Sequence, residues 1–404
     1  EQALVIKPNY AEAHYNLSNT LKDLDQLEAA VKHYEQALVI KPDYADAHYN
    51  LANTFKGLEQ PDEAIKCYKK ALAIQPDYAD AKLNLSLAQL LSGDLQEGWK
   101  NYQWRWTQKD FEPKRSNSTF PWEGSSITNK ILFVYCEQGI GDEIMFSSCI
   151  PDLIAQQPKL LIIECDARLK ALFNRSFPQV IIQDKNKQKD HVYSLENENI
   201  DFHVPMGDLP KYLRPNINAF PTTSAFIKPN IELHSKWVSR FNDIGTEIKI
   251  GLSWRGGSKA NEKKSRSTTL QLWEPILQSS AHFVNLQYGD CSHEISQLHK
   301  ATGITIHDWS DADPLKNLDN FSAQIAALDL VITIDNSTAH FAGALGVPTW
   351  VLLPFNPDWR WLLNRDDSPW YPSIRLFRQQ ESGNWTAVFN EIHQELETYR
   401  MTVS

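Results

Sequence analysis

The feature that most limits what this chain can fold into is a repeat of 34 residues. Residues 9–42 align without a gap on residues 43–76, and a third copy opens at 77 with "DYADAKLNLSLAQLLSGDLQEGWKNYQWRW". Pro8, Pro42 and Pro76 mark the period. Small residues recur inside each copy where two helices must touch: Ser18, Ala30 and Ala37, then Ala52, Ala64 and Ala71. A unit of this size is a helix hairpin that cannot bury its apolar face alone, so the units stack into a superhelix. "EQALVIKP" at 1–8 returns whole at 35–42, so the chain reads as starting inside a repeat, with further repeats expected before it. The third copy departs from the pattern. Gly98 and Arg105 replace packing alanines, and Trp99, Trp104 and Trp106 crowd its end. Large apolar side chains there suit either an end repeat docked on another domain or a plain capping helix.

Period, terminal proline and small-residue pattern resemble the tetratricopeptide repeat over residues 1–106, and are similar to the repeats of O-linked N-acetylglucosamine transferase. Asn16, Asn50 and Asn84 stand at one repeat position, on the first helix of each hairpin. A side-chain amide offers both a donor and an acceptor, so it can pair with the backbone of an extended peptide. The resemblance implies that this helix lines a concave surface and that the three asparagines form a peptide-binding ladder. The other reading is that asparagine is simply common at this repeat position.

The net charge of −10 argues against a general nucleic-acid binder, which carries a basic field. Five scattered cysteines, with no Cys-x-x-Cys and no zinc spacing, read as reduced buried thiols of a cytoplasmic protein. No apolar run approaches the ~20 residues of a membrane helix.

Residues 107–128 are polar, hold Pro and Gly, and read as a linker. Beyond them short β-branched runs alternate with helical patterns. "KILFVYC", "KLLIIEC" and "VII" form one block; after a proline-rich span, "EIKIGLSW", "HFVNLQYG", "ITIHDW", "DLVITID" and "TWVLLP" form another. Two such blocks predict two parallel sheets with helical covers, and ligands outside the carboxyl ends of the strands.

Two motifs fall at such ends. In "EQGIGDEIMF" (137–146), Gly139 and Gly141 are able to take positive φ and to let another molecule approach the backbone. Asp142 then has two readings: a helix cap, or a carboxylate placed to take a proton from an attacking hydroxyl. In "DNSTAHFAGALGVP" (335–348), Asn336, Ser337 and Thr338 open a helix where N–H groups and hydroxyls converge on an anion. His340, in the first turn, either points at that anion or packs in the core.

"EQGIGDE" followed by "DNSTAHFAGALGVP" resembles the bacterial heptosyltransferases, above all tetratricopeptide-fused members of that glycosyltransferase family, over about 130–380. The resemblance implies an α-helical tetratricopeptide solenoid followed by the α/β GT-B architecture of two Rossmann-like domains: repeats over 1–106, an acceptor-side domain over 129–229 and a nucleotide-sugar domain over 230–404. It implies Asp142 as general base, and Asn336, Ser337, Thr338 and His340 around the diphosphate of a nucleotide sugar, with Asp335 fixing the turn. Arg266, with Lys264 as competitor, would be the cation on the phosphates, since guanidinium pairs with phosphate in bidentate fashion. Glu294 would meet the ribose or be an ordinary surface acid. No cofactor and no metal is expected; the donor is a nucleotide-diphosphate sugar of ADP, UDP or GDP type. "DAD" at 311–313 reads as an accidental match to a metal motif. Trp359, Trp361 and Trp370 either stack on a ligand or pack the domain edge. Two functions compete: a glycosyltransferase acting on a protein or peptide presented by the repeats, or a silent repeat scaffold with a nucleotide-binding domain.

Overall fold

A computed structural model describes residues 2–108, 111, 119–185, 199–256 and 266–403. The chain forms two compact units. One comprises residues 1–115 together with two later segments, 214–219 and 356–364; the other comprises 116–213, 220–355 and 365–404.

In the helical unit the repeats fold as sequence periodicity requires. α1 (Gln2–Ile6) precedes the pairs α2 (Ala11–Asp23) with α3 (Leu27–Ile40), α4 (Ala45–Gly57) with α5 (Pro61–Ile74), and α6 (Ala79–Ser92) with α7 (Leu95–Asn101). Ala30, Ala52, Ala64 and Ala81 are fully buried among Tyr34, Tyr68 and Leu85, so small side chains let the helices close and large ones fill the layer between repeats. Gly98 has the same purpose in the third copy. A β-carbon there would lie 2.6 Å from Leu90 Cδ2.

At the tryptophan-rich end of the third copy Trp99 is core, while Trp104 and Trp106 are half-buried. Trp99 packs edge-on against Tyr102 and Trp359, at 5.4 Å from each ring, and donates its indole hydrogen to the carbonyl of Arg214. Leu363 N–H donates to the carbonyl of Leu91. Trp359 and Trp361 are buried here, so packing is their place. The polar span beyond Thr107 therefore does not end the helical unit, because segments 214–219 and 356–364 complete it.

The second unit holds two all-parallel sheets. The first has five strands in the order β1-β5-β2-β3-β4: β1 (Phe120–Pro121), β2 (Ile131–Tyr135), β3 (Leu160–Cys165), β4 (Ile181–Asp184) and β5 (Phe202–Pro205). The second has six in the order β11-β10-β9-β6-β7-β8: β6 (Lys249–Ser253), β7 (His282–Asn285), β8 (Ile306–His307), β9 (Leu330–Ile334), β10 (Thr349–Leu353) and β11 (Ile374–Arg378). β2, β6, β9 and β10 are buried along their whole length, as strands covered on both faces must be. Val134 sits opposite Ile163 and Val204; Leu252 opposite Ile332 and Asn285. These registers align the carboxyl ends of the central strands, and helices α8 (Ile140–Ser147) and Ser337–Leu345 start there.

All five cysteines are buried, and none is in a disulfide. Among the described residues no helix is long and apolar enough to cross a membrane. Truncating Trp359 to alanine should cost the helical unit about 3–5 kcal/mol, the range for losing a buried aromatic, read as a lower urea midpoint of its unfolding transition; a change below 1 kcal/mol would show that the segment is not part of that unit's core.

Candidate active site

Three acids lie within seven residues at the end of β2, and burial separates them. Glu137 is buried and accepts the Gly207 N–H at 3.1 Å. Glu143, 3% exposed, accepts the Asp166 N–H at 2.8 Å, which ties the first turn of α8 to the end of β3. Asp142 between them is half-exposed, and its Oδ2 accepts the N–H of Gly139 at 3.3 Å. Two acids thus brace the turn from inside, and the third caps the helix while facing outward. The capping reading of Asp142 is correct as geometry.

The two glycines differ from expectation. Neither has positive φ: Gly139 is extended, with φ −82 and ψ 170, and Gly141 lies in the helix. At Gly141 the requirement is space. A β-carbon on Gly141 would stand 2.9 Å from Cδ2 of His340, whereas one on Gly139 would meet only Asp142 Oδ2, at 3.7 Å. What approaches Gly141 is therefore a side chain of the same molecule. This contact sets the first turn of α8 against the first turn of helix Ser337–Leu345, and so brings Asp142 and residues 336–340 to one seam.

At the second turn, Asn336 is the N-cap. Its Oδ1 accepts the Thr338 N–H at 2.9 Å, and its Nδ2 donates to Ser253 Oγ at 2.8 Å and to the carbonyl of Arg255 at 3.1 Å. An N-cap of this type is worth about 1 kcal/mol. The amide side chain is thereby committed to joining β6 to β9, and it shapes the site instead of reaching outward. Thr338 is buried and Ser337 is half-exposed. His340 is 7% exposed, and its Nδ1 lies 2.8 Å from the hydroxyl of Tyr371. Asp335, buried at the end of β9, pairs with the half-buried Arg266 at 3.6 Å. Arg266 therefore stands beside this turn, against Asp335. Lys264 lies outside the described residues.

Glu294 is no ordinary surface acid. Trp254 donates its indole hydrogen to Oε2 at 2.7 Å, and Arg255 stands 3.3 Å from Oε1. Gln287, buried, accepts the N–H groups of Trp254 and Arg255 on one oxygen. Arg255, two residues beyond β6, links Glu294 to the Asn336 turn. Sequence reading passed over Arg255 although it sits inside "SWRGGS". Nothing in the sequence pairs Tyr371 with His340, 31 residues away.

The other sequence candidates fall elsewhere. Asn50 and Asn84 donate to the tyrosine hydroxyls of the preceding repeat, Tyr15 at 2.8 Å and Tyr49 at 3.0 Å; Asn16 is exposed on α2. Asp311 is held through both oxygens by Arg240, at 2.9 and 3.0 Å, and Asp313 pairs with Lys316 and accepts the Leu315 N–H. Trp370 is buried against Phe146 and Phe220.

The architecture is that of tetratricopeptide repeats followed by two parallel-sheet α/β lobes of GT-B type. Tetratricopeptide repeat family models match residues 45–78 and 19–59. A solved glycosyl transferase family 9 structure from Veillonella parvula DSM 2008 shares the fold with a TM-score of 0.50, covering 69% of this chain and 99% of that one at 14% identity. Protein FlbA of Caulobacter vibrioides is 32% identical over 321 residues, 77% of this chain and 54% of its own length, so the chain spans about half of that relative. The crystal structure of MamA is 29% identical over 25% of this chain and 59% of that one, with a TM-score of 0.25.

Two predictions follow from the turn at 137–143. Gly141→Ala should destabilise the second unit by about 1–3 kcal/mol, the cost of forcing a methyl into a packed site, while Gly139→Ala should be near neutral; equal thermal shifts would refute the steric account. Burial pushes the Glu143 carboxyl up to about 8 from its ordinary 4.5. The folded state then binds a proton that the unfolded chain has released, so this stabilisation is full below about pH 4.5 and is lost as pH rises through about 8. Glu143→Gln should flatten the fall of stability across that window, by up to about 1.4 kcal/mol per pH unit; parallel wild-type and variant curves would refute it.

Proposed function

We propose that the second unit is a glycosyltransferase that moves a sugar from a nucleotide-diphosphate donor to a hydroxyl acceptor. The observation that carries this reading is the contact of Gly141 with His340, which sets a half-exposed carboxylate beside an amide-rich helix N-terminus. The shared fold with a glycosyl transferase family 9 protein supports the same class of chemistry.

In this reading Asp142 accepts the proton of the acceptor hydroxyl as its oxygen attacks the anomeric carbon. The bond from that carbon to the diphosphate breaks, and the leaving oxygens gather negative charge. The backbone N–H groups of the helix start, Ser337, Thr338 and His340 receive that charge, with Arg266 as the cation. Such fixed donors cost no reorganisation during the reaction, and the mechanism as proposed calls on no metal. Glu294, oriented by Trp254 and Arg255, meets the ribose hydroxyls, for which a carboxylate is a strong acceptor. A cytoplasmic setting, in which the buried thiols stay reduced, completes the proposal.

The acceptor side rests on the repeats, which we read as presenting a protein or peptide. The asparagine ladder enters this proposal in altered form. Asn50 and Asn84 are tied to tyrosines of the neighbouring repeat, so what would meet a peptide is a joined lattice of amides and phenols.

The test is donor turnover with Asp142→Asn as control. Asparagine keeps an oxygen for the Gly139 N–H, so the cap and the fold should survive. Release of diphosphate from labelled ADP-, UDP- and GDP-sugars should drop ~10²–10⁴-fold, while affinity for the free nucleoside diphosphate should stay within a few-fold. Absence of diphosphate binding by the wild type would remove the transferase reading and leave the repeat scaffold.

A further inference from the structure

A second link joins the two lobes of the second unit, through elements other than α8. Helix Lys170–Ser176 follows β3 of the first sheet, and an arginine near each end of it reaches residues 315–319, which open helix Leu318–Ala326 of the second lobe. At one end Arg168 holds Asp166 through both carboxylate oxygens, at 2.9 Å each, and donates from Nη1 to the carbonyl of Leu315 at 3.0 Å. At the other, Arg175 pairs with both oxygens of Asp319 and donates from Nε to the carbonyl of Lys228 at 2.9 Å. The Arg175 and Asp319 side chains are only 26% and 21% exposed. Lys228 lies in the connection between the lobes. Its N–H donates to Ser176 Oγ at 2.9 Å, and Phe226 and Ile227 just before it donate to the carbonyl of Ala344 at 3.0 and 3.2 Å. One guanidinium therefore joins the first lobe, the connection and the second lobe. The brace also runs back to the Asp142 turn. Asp166, which holds Arg168, donates its N–H to Glu143 at 2.8 Å, and Glu143 follows Asp142 in the first turn of α8.

We propose that Arg175 is a positioning residue for the transfer: by binding Lys228 and Asp319 at once it fixes the angle between the lobes, and with it the spacing of Asp142 from the turn at 336–340. The inference rests on the transferase reading of those residues. Two helix ends in contact are able to pivot about each other, and a second attachment through different elements removes that freedom. A guanidinium suits the task, because its planar fork sets direction as well as distance. The pair is mostly out of water, so salt screens it less than a surface pair. When the reacting groups are carried on two bodies, a misplacement of about 1 Å costs ~10²-fold in rate. A side chain that touches neither reactant thereby governs the reaction.

The check uses the intact chain. All five native cysteines are buried, so spin labels go to Ala155→Cys, at the end of helix Ile150–Ala155 in the first lobe, and to Lys300→Cys, in helix Ser292–Thr302 of the second. Both positions are exposed. The distance distribution between the labels should be narrow with Arg175 in place, and should broaden or shift in Arg175→Gln and in Asp319→Asn. The double variant should be no worse than either single one, since each removes the same link. In unlabelled protein, release of diphosphate from labelled ADP-, UDP- and GDP-sugars should fall ~10²-fold in either variant. Affinity for the free nucleoside diphosphate, whose proposed contacts all lie on the second lobe, should stay within a few-fold. Arg175→Lys keeps the charge and loses the fork; it should fall between, and it carries the comparison if the neutral variants do not fold. Unchanged distances overturn the proposal, as do undiminished turnover and a loss confined to affinity. A wild type that turns over donor beside unaffected variants overturns this inference alone, whereas a wild type that turns over no donor overturns the transferase reading and the positioning role together.

Discussion

The close approach of the His340 imidazole to Gly141 is the constraint on which the candidate site depends. Two helices, each following a central strand of a different sheet, meet at their N-terminal turns because one of them lacks a β-carbon there. Both helix ends carry partial positive charge from unsatisfied N–H groups, so their meeting favours an anion between or beside them. The same contact fixes where Asp142 stands. It is carried on the turn that Gly141 belongs to, and it is the only one of three clustered acids that is not buried.

Electrostatics within the site follow from which polar groups are already engaged. Asn336, which as a sequence looks like a ligand residue, spends its amide on β6 and on its own cap. Arg266 stands beside the buried Asp335, so the negative charge that holds it is enclosed while the guanidinium remains half-exposed. Glu294 is oriented by an indole and a guanidinium. Each outward-facing group thus has an inward-facing neighbour that sets its direction, and preorganisation of this kind is what electrostatic catalysis requires.

The repeats follow another logic. Tyrosine and asparagine side chains bond across the helix layers, Tyr34 to Asn19 and Tyr68 to Asn53 within repeats, Asn50 to Tyr15 and Asn84 to Tyr49 between them. A buried phenol left without a partner costs about 1–3 kcal/mol, so these pairs specify the stacking register as well as any surface they present. The third copy closes differently, with Trp99 and Tyr102 packed against Trp359 of the later segment.

Sequence alone determined the repeat period, the hairpins, both parallel sheets and the two turns at their carboxyl ends, because each is written in local periodicity and in residues whose backbone preferences are strong. It also placed Asp142 and residues 336–340 on those turns. Tertiary structure decided what Gly141 is for, why Glu143 and Glu137 differ from Asp142, that Tyr371 meets His340, and that residues 214–219 and 356–364 fold with the helices. These depend on contacts between residues far apart in the chain. No local pattern encodes them, since a burial or a close approach exists only once a distant side chain has arrived.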